Sequence, residues 1–330
     1  MNRRSLLIRT GVIAGALGGG WWLKENVLWS APGLAFSSGA TTPWIDFAAR
    51  VLSPTVPVRI AGRTVNALID SGAQYSVIDK DFHSAVEAEL GPRPLFDIPL
   101  VAYGVGGRPQ MGKGVRLDVE MDGLALSGLR CAILDLGPLA DEAGLSAPLI
   151  LGQDLLKLLA LEVDLVERRV RLMDRQAVVH DARWSRVAVR RRGTALITPV
   201  EVEGHTLDAV VDTGASSTLS LSRPAAEDAG LLDGRPAARG ESLVLGGQIT
   251  ADILTVTHLR AVGRTFREVD VPVYAAVGMP GVPQALLGMA AFGGQGLLLD
   301  IGGGALYRAA TLDITLESRD APPISRFSAG

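Results

Sequence analysis

Residues 57–78 read PVRIAGRTVNALIDSGAQYSVI, and residues 199–220 read PVEVEGHTLDAVVDTGASSTLS. Laid over each other without a gap, 8 of the 22 positions are identical, where average residue frequencies give about one or two by chance. Other positions exchange like for like, among them Ile60/Val202, Leu68/Val210 and Ser71/Thr213. More landmarks follow in the same order. Val105-Gly106-Gly107 answers Leu245-Gly246-Gly247, and Leu149-Ile150-Leu151-Gly152 answers Ala285-Leu286-Leu287-Gly288. Leu161-Glu162-Val163-Asp164 answers Leu298-Leu299-Asp300. Matched landmarks in one order mark a duplicated unit rather than coincidence.

Within each copy the pattern is that of short strands. Apolar runs at 65–69 and 207–211 enter Asp-Ser/Thr-Gly, where glycine permits a tight turn. Residues 75–78 and 217–221 read as return strands, and the long stretches 115–121 and 253–259 as sheet strands beyond glycine-rich hairpins. Helices are expected over 81–90 and 222–231, the second with Ser222 as cap and Pro224 in its first turn. Short helices are expected over 153–158 and 289–292. The arginine-rich stretch 166–192 reads as a solvated linker.

Outward from the repeats, the chain has 330 residues, 48% of them apolar and 20% charged, with 39 glycines. That composition supplies packed cores and argues against disorder. A single cysteine, Cys131, excludes an intrachain disulfide and a cysteine-based zinc site; its apolar surroundings mark a core residue. The histidines 83, 180, 205 and 258 are too scattered for a metal-ligand pair, so neither metal nor cofactor is expected. His205 aligns with Arg63, so the repeat does not require imidazole there. A net charge of −3 gives no footing for a nucleic-acid partner. At the N-terminus, Asn2-Arg3-Arg4-Ser5-Leu6-Leu7-Ile8 precedes an uncharged stretch over 11–23 that contains five glycines. It is shorter than the roughly 20 residues that span a bilayer, and small residues follow at 31–35. This is the pattern of an export signal. The segment 5–23 is either removed or kept as a membrane anchor with Trp21 and Trp22 at the interface.

The chemistry sits at Asp70-Ser71-Gly72-Ala73 and Asp212-Thr213-Gly214-Ala215. If two copies pack about a pseudo-twofold axis, equivalent residues near the axis face each other. Two carboxyl groups a few ångströms apart cannot easily both ionise and hold one proton between them. Such a pair supplies a general base for water and a general acid for the carbonyl it attacks. Asp164 and Asp300 also match across the copies, but each leads into a turn and reads as turn support.

These residues resemble a known family. The apolar-apolar-Asp-Ser/Thr-Gly-Ala runs, followed by Ser76-Val77-Ile78 or Thr218-Leu219, look like the active-site loop of retropepsin-like aspartic proteases. Leu149-Ile150-Leu151-Gly152-Gln153-Asp154 is similar to the apolar-glycine segment beneath that loop, with Leu287-Gly288 its looser counterpart. Tyr103-Gly104-Val105-Gly106-Gly107 resembles the flap over the substrate, with Gly246 and Gly247 as a weaker second copy. The adjacent arginines before Leu6 and Leu7 resemble the bacterial twin-arginine signal. One departure stands out. Retropepsins usually carry an acidic residue four positions after the aspartate, where this chain has Gln74 and Ser216.

The resemblance implies an all-β, bilobal protease with closed acid-protease-like barrels, a few short helices and both halves on one chain. Its dyad would be Asp70 and Asp212, with Ser71, Gly72, Ala73, Ser76, Thr213, Gly214, Ala215 and Thr218 supporting the loops. The expected division is 1–50 for the export signal or anchor and linker, 51–175 for the first lobe, 176–194 for the connector, 195–312 for the second lobe and 313–330 for a tail. The expected partners are polypeptides, exported or periplasmic in a bacterium, cut by a monomer. The rival expectation is a silent peptide-binding or scaffold protein, although such a protein has no need of two repelling carboxylates. An obligate homodimer pairing first halves is a third.

Overall fold

The computed structural model describes residues 11–13, 31–91, 94–102, 110–141, 145–179, 181–244, 247–275 and 284–309. The repeat opens with the same hairpin in each half. Thr55–Ile60 pairs antiparallel with Arg63–Ile69 across Ala61 and Gly62, at φ 53° and 81°. Ala195–Val202 pairs with His205–Val211 across Glu203 and Gly204, at φ 47° and 90°. Positive φ at both central residues is what a two-residue hairpin needs to match strand twist. Alternation then turns Val56, Val58 and Ile60 into the core, where each is essentially without exposure.

Six strands close into a barrel in each half. In the first, Arg63–Ile69, Thr55–Ile60, Gln110–Met121, Leu124–Leu134, Val77–Asp79 and Leu149–Leu151 run round and back to the start. In the second, the ring is His205–Val211, Ala195–Val202, Gly247–Ala261, Arg264–Tyr274, Leu219–Ser222 and Ala285–Leu287. Closure removes the sheet edges that would otherwise be open to pairing. The fold is all-β and bilobal, as the sequence implied. The helix Lys80–Leu90 is capped by Asp79, whose carboxylate accepts from the amides of Asp81 and Phe82. The second helix, Arg223–Asp228, is capped by Ser222 but ends earlier than 231, in a turn where Gly230 takes φ 68°.

A third sheet joins the halves. Its centre is Leu159–Asp164 from the first half, antiparallel to Gly296–Asp300 from the second. Glu162 lies opposite Leu298, and each stands ten residues after its matched glycine, Gly152 or Gly288. Equivalent residues that face each other across an antiparallel pair lie on a pseudo-twofold axis. One apolar cluster runs through both barrels and this sheet, from Val58 and Leu117 through Leu161 and Leu299 to Val256.

The arginine-rich stretch is not a free linker. Arg169–Asp174 and Trp184–Arg186 are strands of the joining sheet, and Arg190–Arg192 extends the second barrel. Its charges find partners: Arg171 pairs with Glu162, Arg175 with Asp300, and Arg169 and Arg171 both stack on Trp44. Residues before the first repeat also belong to the fold. Gly33–Phe36 adds an edge strand beside Leu124–Leu134, and Ile45–Asp46 pairs with Arg169–Asp174. Of the leader, Gly11–Ile13 is a strand alongside Ala237–Val244, and its other residues up to 30 lie outside the described ones. Among the described residues no helix is long and apolar enough to cross a membrane.

Gly152 and Gly288 let the apolar-glycine strands pass beneath the aspartate loops. A Cβ on Gly152 would sit 2.6 Å from the Tyr75 carbonyl carbon; one on Gly288 would sit 2.6 Å from the Ala215 carbonyl oxygen and against that of Ser217. Backbone has little room to yield there. Gly152→Ala and Gly288→Ala should each lower stability by about 1–3 kcal/mol or more, read as a lower urea midpoint.

Candidate active site

Each aspartate is delivered by the same device. Arg63–Ile69 runs parallel to Leu149–Leu151, and the Asp70 amide continues the ladder by donating to the Leu151 carbonyl at 2.9 Å. In the second half His205–Val211 runs parallel to Ala285–Leu287, and the Asp212 amide donates to Leu287 at 2.9 Å. Beyond each aspartate the loop turns back over the apolar-glycine segment. Gln153 donates its amide to Ala73 at 2.8 Å, and Met289 donates to Ala215 at 2.8 Å.

The two loops meet at the centre of the molecule. The Ser71 amide donates to Thr213 Oγ1 at 2.9 Å, and the Thr213 amide donates to Ser71 Oγ at 3.0 Å. The Ser71 hydroxyl passes its own proton to the Val211 carbonyl at 2.8 Å, and the Thr213 hydroxyl to Ile69 at 2.7 Å. All four bonds are buried, and all cross between halves. Every donor and acceptor of the two hydroxyls is thereby matched by its counterpart about the axis.

Asp70 and Asp212 have no solvent exposure. A Cβ on Gly72 would lie 2.6 Å from the Asp212 Cγ, and one on Gly214 would lie 2.7 Å from the Asp70 Cγ. Glycine is what allows each loop to lie against the opposite carboxyl group. Asp70 Oδ1 accepts from the amides of Gly72 at 2.7 Å and Ala73 at 3.2 Å, and Asp212 Oδ1 accepts from Gly214 at 2.8 Å. Both Oδ2 atoms are buried without a hydrogen-bond partner of this kind among the described residues. The two carboxyl groups are close enough for each to act on the other's ionisation.

Burial raises both acids. Asp212 is pushed up to about 6 by burial, against the pull of the backbone amides. Asp70 is held well above the usual carboxylate range, first by burial and then by the Asp212 charge. The pair therefore gives up its first proton near pH 6, carries one proton above that, and titrates as a unit.

The sequence model of the aspartyl protease family matches residues 56–155 and 198–291. The chain belongs to the aspartyl protease family. The two matches cover the two barrels, so it carries this family's unit twice, in the retropepsin-like form. No curated protein matches the chain.

Around the pair, Ser76 is buried and donates to Asp154 at 2.8 Å while accepting from the Gly152 amide at 3.1 Å. Ala73 and Ala215 are buried beneath their loops, and Thr218 accepts the Gly288 amide through its carbonyl at 3.1 Å. Leu151 and Leu287 are core residues. The flap candidates Tyr103, Gly104, Gly106, Gly107 and Gly246 lie outside the described residues, and Gly247 opens the strand Gly247–Ala261 opposite Val244. Asp164 and Asp300 stay in the joining sheet and brace turns, accepting from the amides of Val166 and Gly303 respectively. Cys131 is buried, its thiol pushed up by burial.

Sequence reasoning missed three supporting residues. Gln153 donates to the Ser71 carbonyl at 2.6 Å and receives the Thr194 hydroxyl from the other half. Ser53 reaches the second loop, bonding Gly214 O at 2.8 Å. Gln153 stands in the quoted apolar-glycine motif, so its polarity at a buried position was an available signal. Ser53 and Thr194 offered none, because their partners are distant in sequence.

The raised acids give a signed pH effect on stability. Both forms of Asp212 are protonated below about pH 4. Between there and about 6 the unfolded chain ionises while the folded one resists, so stability is lost as pH rises through that window. Relative to Asp212→Asn, the wild-type protein should lose on the order of 3 kcal/mol between pH 4 and pH 7, measured as the difference of their urea-unfolding free energies across that range.

Proposed function

We propose that the chain is an aspartic endopeptidase that cleaves peptide bonds with water activated by Asp70 and Asp212. The observation that carries this reading is the pair of fully buried carboxyl groups, one from each repeat, each with an unpartnered Oδ2. A water held between the two Oδ2 atoms gives its proton to the ionised carboxylate as its oxygen attacks the peptide carbonyl carbon. The protonated carboxyl donates a hydrogen bond to the carbonyl oxygen, which accumulates negative charge. When the tetrahedral adduct breaks at the C–N bond, a carboxyl proton passes to the leaving nitrogen. The carboxylic acid and a neutral amine leave, and the pair is back to one shared proton. Neither aspartate is fixed as acid or base, because the proton belongs to the pair.

Both halves lie on one polypeptide, so the proposed working form is a monomer. The exported or periplasmic location, and the polypeptides found there as substrates, rest on the leader pattern over residues 2–35. The departures Gln74 and Ser216 keep the family's usual backbone contacts from being transferred to this cleft.

Cleavage of a denatured protein mixture by the full chain, followed from pH 3 to 7, tests the reading. Activity should rise as pH passes through about 6, where the pair loses its first proton and holds one. Asp70→Asn and Asp212→Asn should each lower kcat by about 10²–10⁴-fold. Activity that survives in Asp212→Asn would point to a dimer of first halves. No cleavage by the wild type at any pH, with chelator and acid controls in place, would favour a peptide-binding protein.

A further inference from the structure

The polar ties about the axis are symmetric at Ser71 and Thr213 but not outside them. Four residues after Asp70 stands Gln74, whose side chain turns to the Tyr75 hydroxyl at 3.4 Å. Four residues after Asp212 stands Ser216, which bonds Ser53 at 2.8 Å, a residue of the other half. The position equivalent to Ser53 in the second repeat is Ala195, which has no hydroxyl.

Ser53 is wholly buried. Its hydroxyl has one proton, which goes to the Gly214 carbonyl at 2.8 Å. Ser216 is therefore the donor in the bond between the two hydroxyls. The next residue reaches the other loop: the Pro54 carbonyl accepts the amide of Ile69, immediately before Asp70, at 2.9 Å. The segment that presents this dipeptide is pinned in turn. Arg168 holds the carbonyls of Ala49 and Val51 at 2.7 and 2.9 Å, and Thr55 Oγ1 accepts the Ala49 amide at 2.9 Å.

We propose that Ser53 is a positioning residue for the dyad, acting through Gly214. Gly214 stands at the junction of both acids. Its amide donates to Asp212 Oδ1, and its Cα lies against the Asp70 carboxyl group. The hydroxyl of Ser53 fixes the peptide that follows, so it sets how firmly that amide is presented to the Asp212 carboxylate. No charged side chain among the described residues other than the partner acid acts on either carboxyl group. Loosening Gly214 weakens a bond to the ionised form, and the dyad must then titrate at higher pH. The segment 48–55 thus belongs to the catalytic apparatus, if the peptidase reading on which this role rests holds.

The test compares full-length wild type with Ser53→Ala. Titration is followed by NMR of 13C-labelled aspartate carboxyl groups, the dyad signals being those changed in Asp70→Asn and Asp212→Asn. The dyad signals should move to higher pH by about 0.5, both limbs of the pH–kcat profile should follow, and kcat should fall about fivefold with KM within twofold. Should Ser53→Ala not fold, Ser53→Cys, close in size and a weaker donor, should shift the dyad the same way. An unchanged dyad titration in a folded variant overturns the inference, whether or not the chain cleaves peptides. A shifted titration in a protein that cleaves nothing leaves the positioning role standing and sinks the peptidase reading alone.

Discussion

Two carboxyl groups without solvent access, set against each other, are the constraint that organises this molecule. Left to itself the arrangement is unfavourable. Taking one carboxylate out of water costs several kcal/mol, and a second charge beside it costs more. The pair persists because one proton removes one charge and backbone amides bond the other. The four buried bonds of Ser71 and Thr213 then fix the loops that carry the acids. Each is worth only about 1 kcal/mol net. Their weight is geometric: any drift of one loop would leave a buried amide or carbonyl of the other unpaired.

That lattice requires the barrels behind it. The aspartates extend strands whose inner faces are core, and the glycines beneath them admit no side chain. The joining sheet holds the halves in register through Leu161, Val163, Leu297 and Leu299, so the axis that faces Glu162 with Leu298 also faces Asp70 with Asp212. Packing of apolar strands is thus converted into the placement of a polar centre.

Much of this was legible in the sequence, for a physical reason. A duplication leaves its mark as a periodic match, and strand, turn glycine and aspartate are all local features. The two equivalent halves and their facing acids follow from the repeat, and the closed barrels from the resemblance to aspartic proteases. What the repeat could not show lies where the halves differ. The arginines of 168–192 read as solvent-facing because charge normally is. Here Arg168 binds backbone carbonyls, Arg171 meets Glu162, and the guanidinium planes of Arg169 and Arg171 cover Trp44. Those partners are brought by Ile45–Asp46 and by strand pairing, neither of which a local pattern encodes. Ser53 is the extreme case, with partners 161 and 163 residues away.

Carrying both halves on one chain changes what the site can become. In a dimer of identical chains every contact occurs twice, so a residue that steadies one acid loop steadies the other equally. A fused chain keeps the symmetric part, Ser71 with Thr213, because removing either half of it strands buried groups. It is free to vary everything further out. The first loop has gained Gln153 under the Ser71 carbonyl where the second has Met289, and the second loop has gained Ser53 where the first repeat's equivalent is Ala195. The centre thus keeps a shared proton while the surroundings of its two sides cease to be interchangeable.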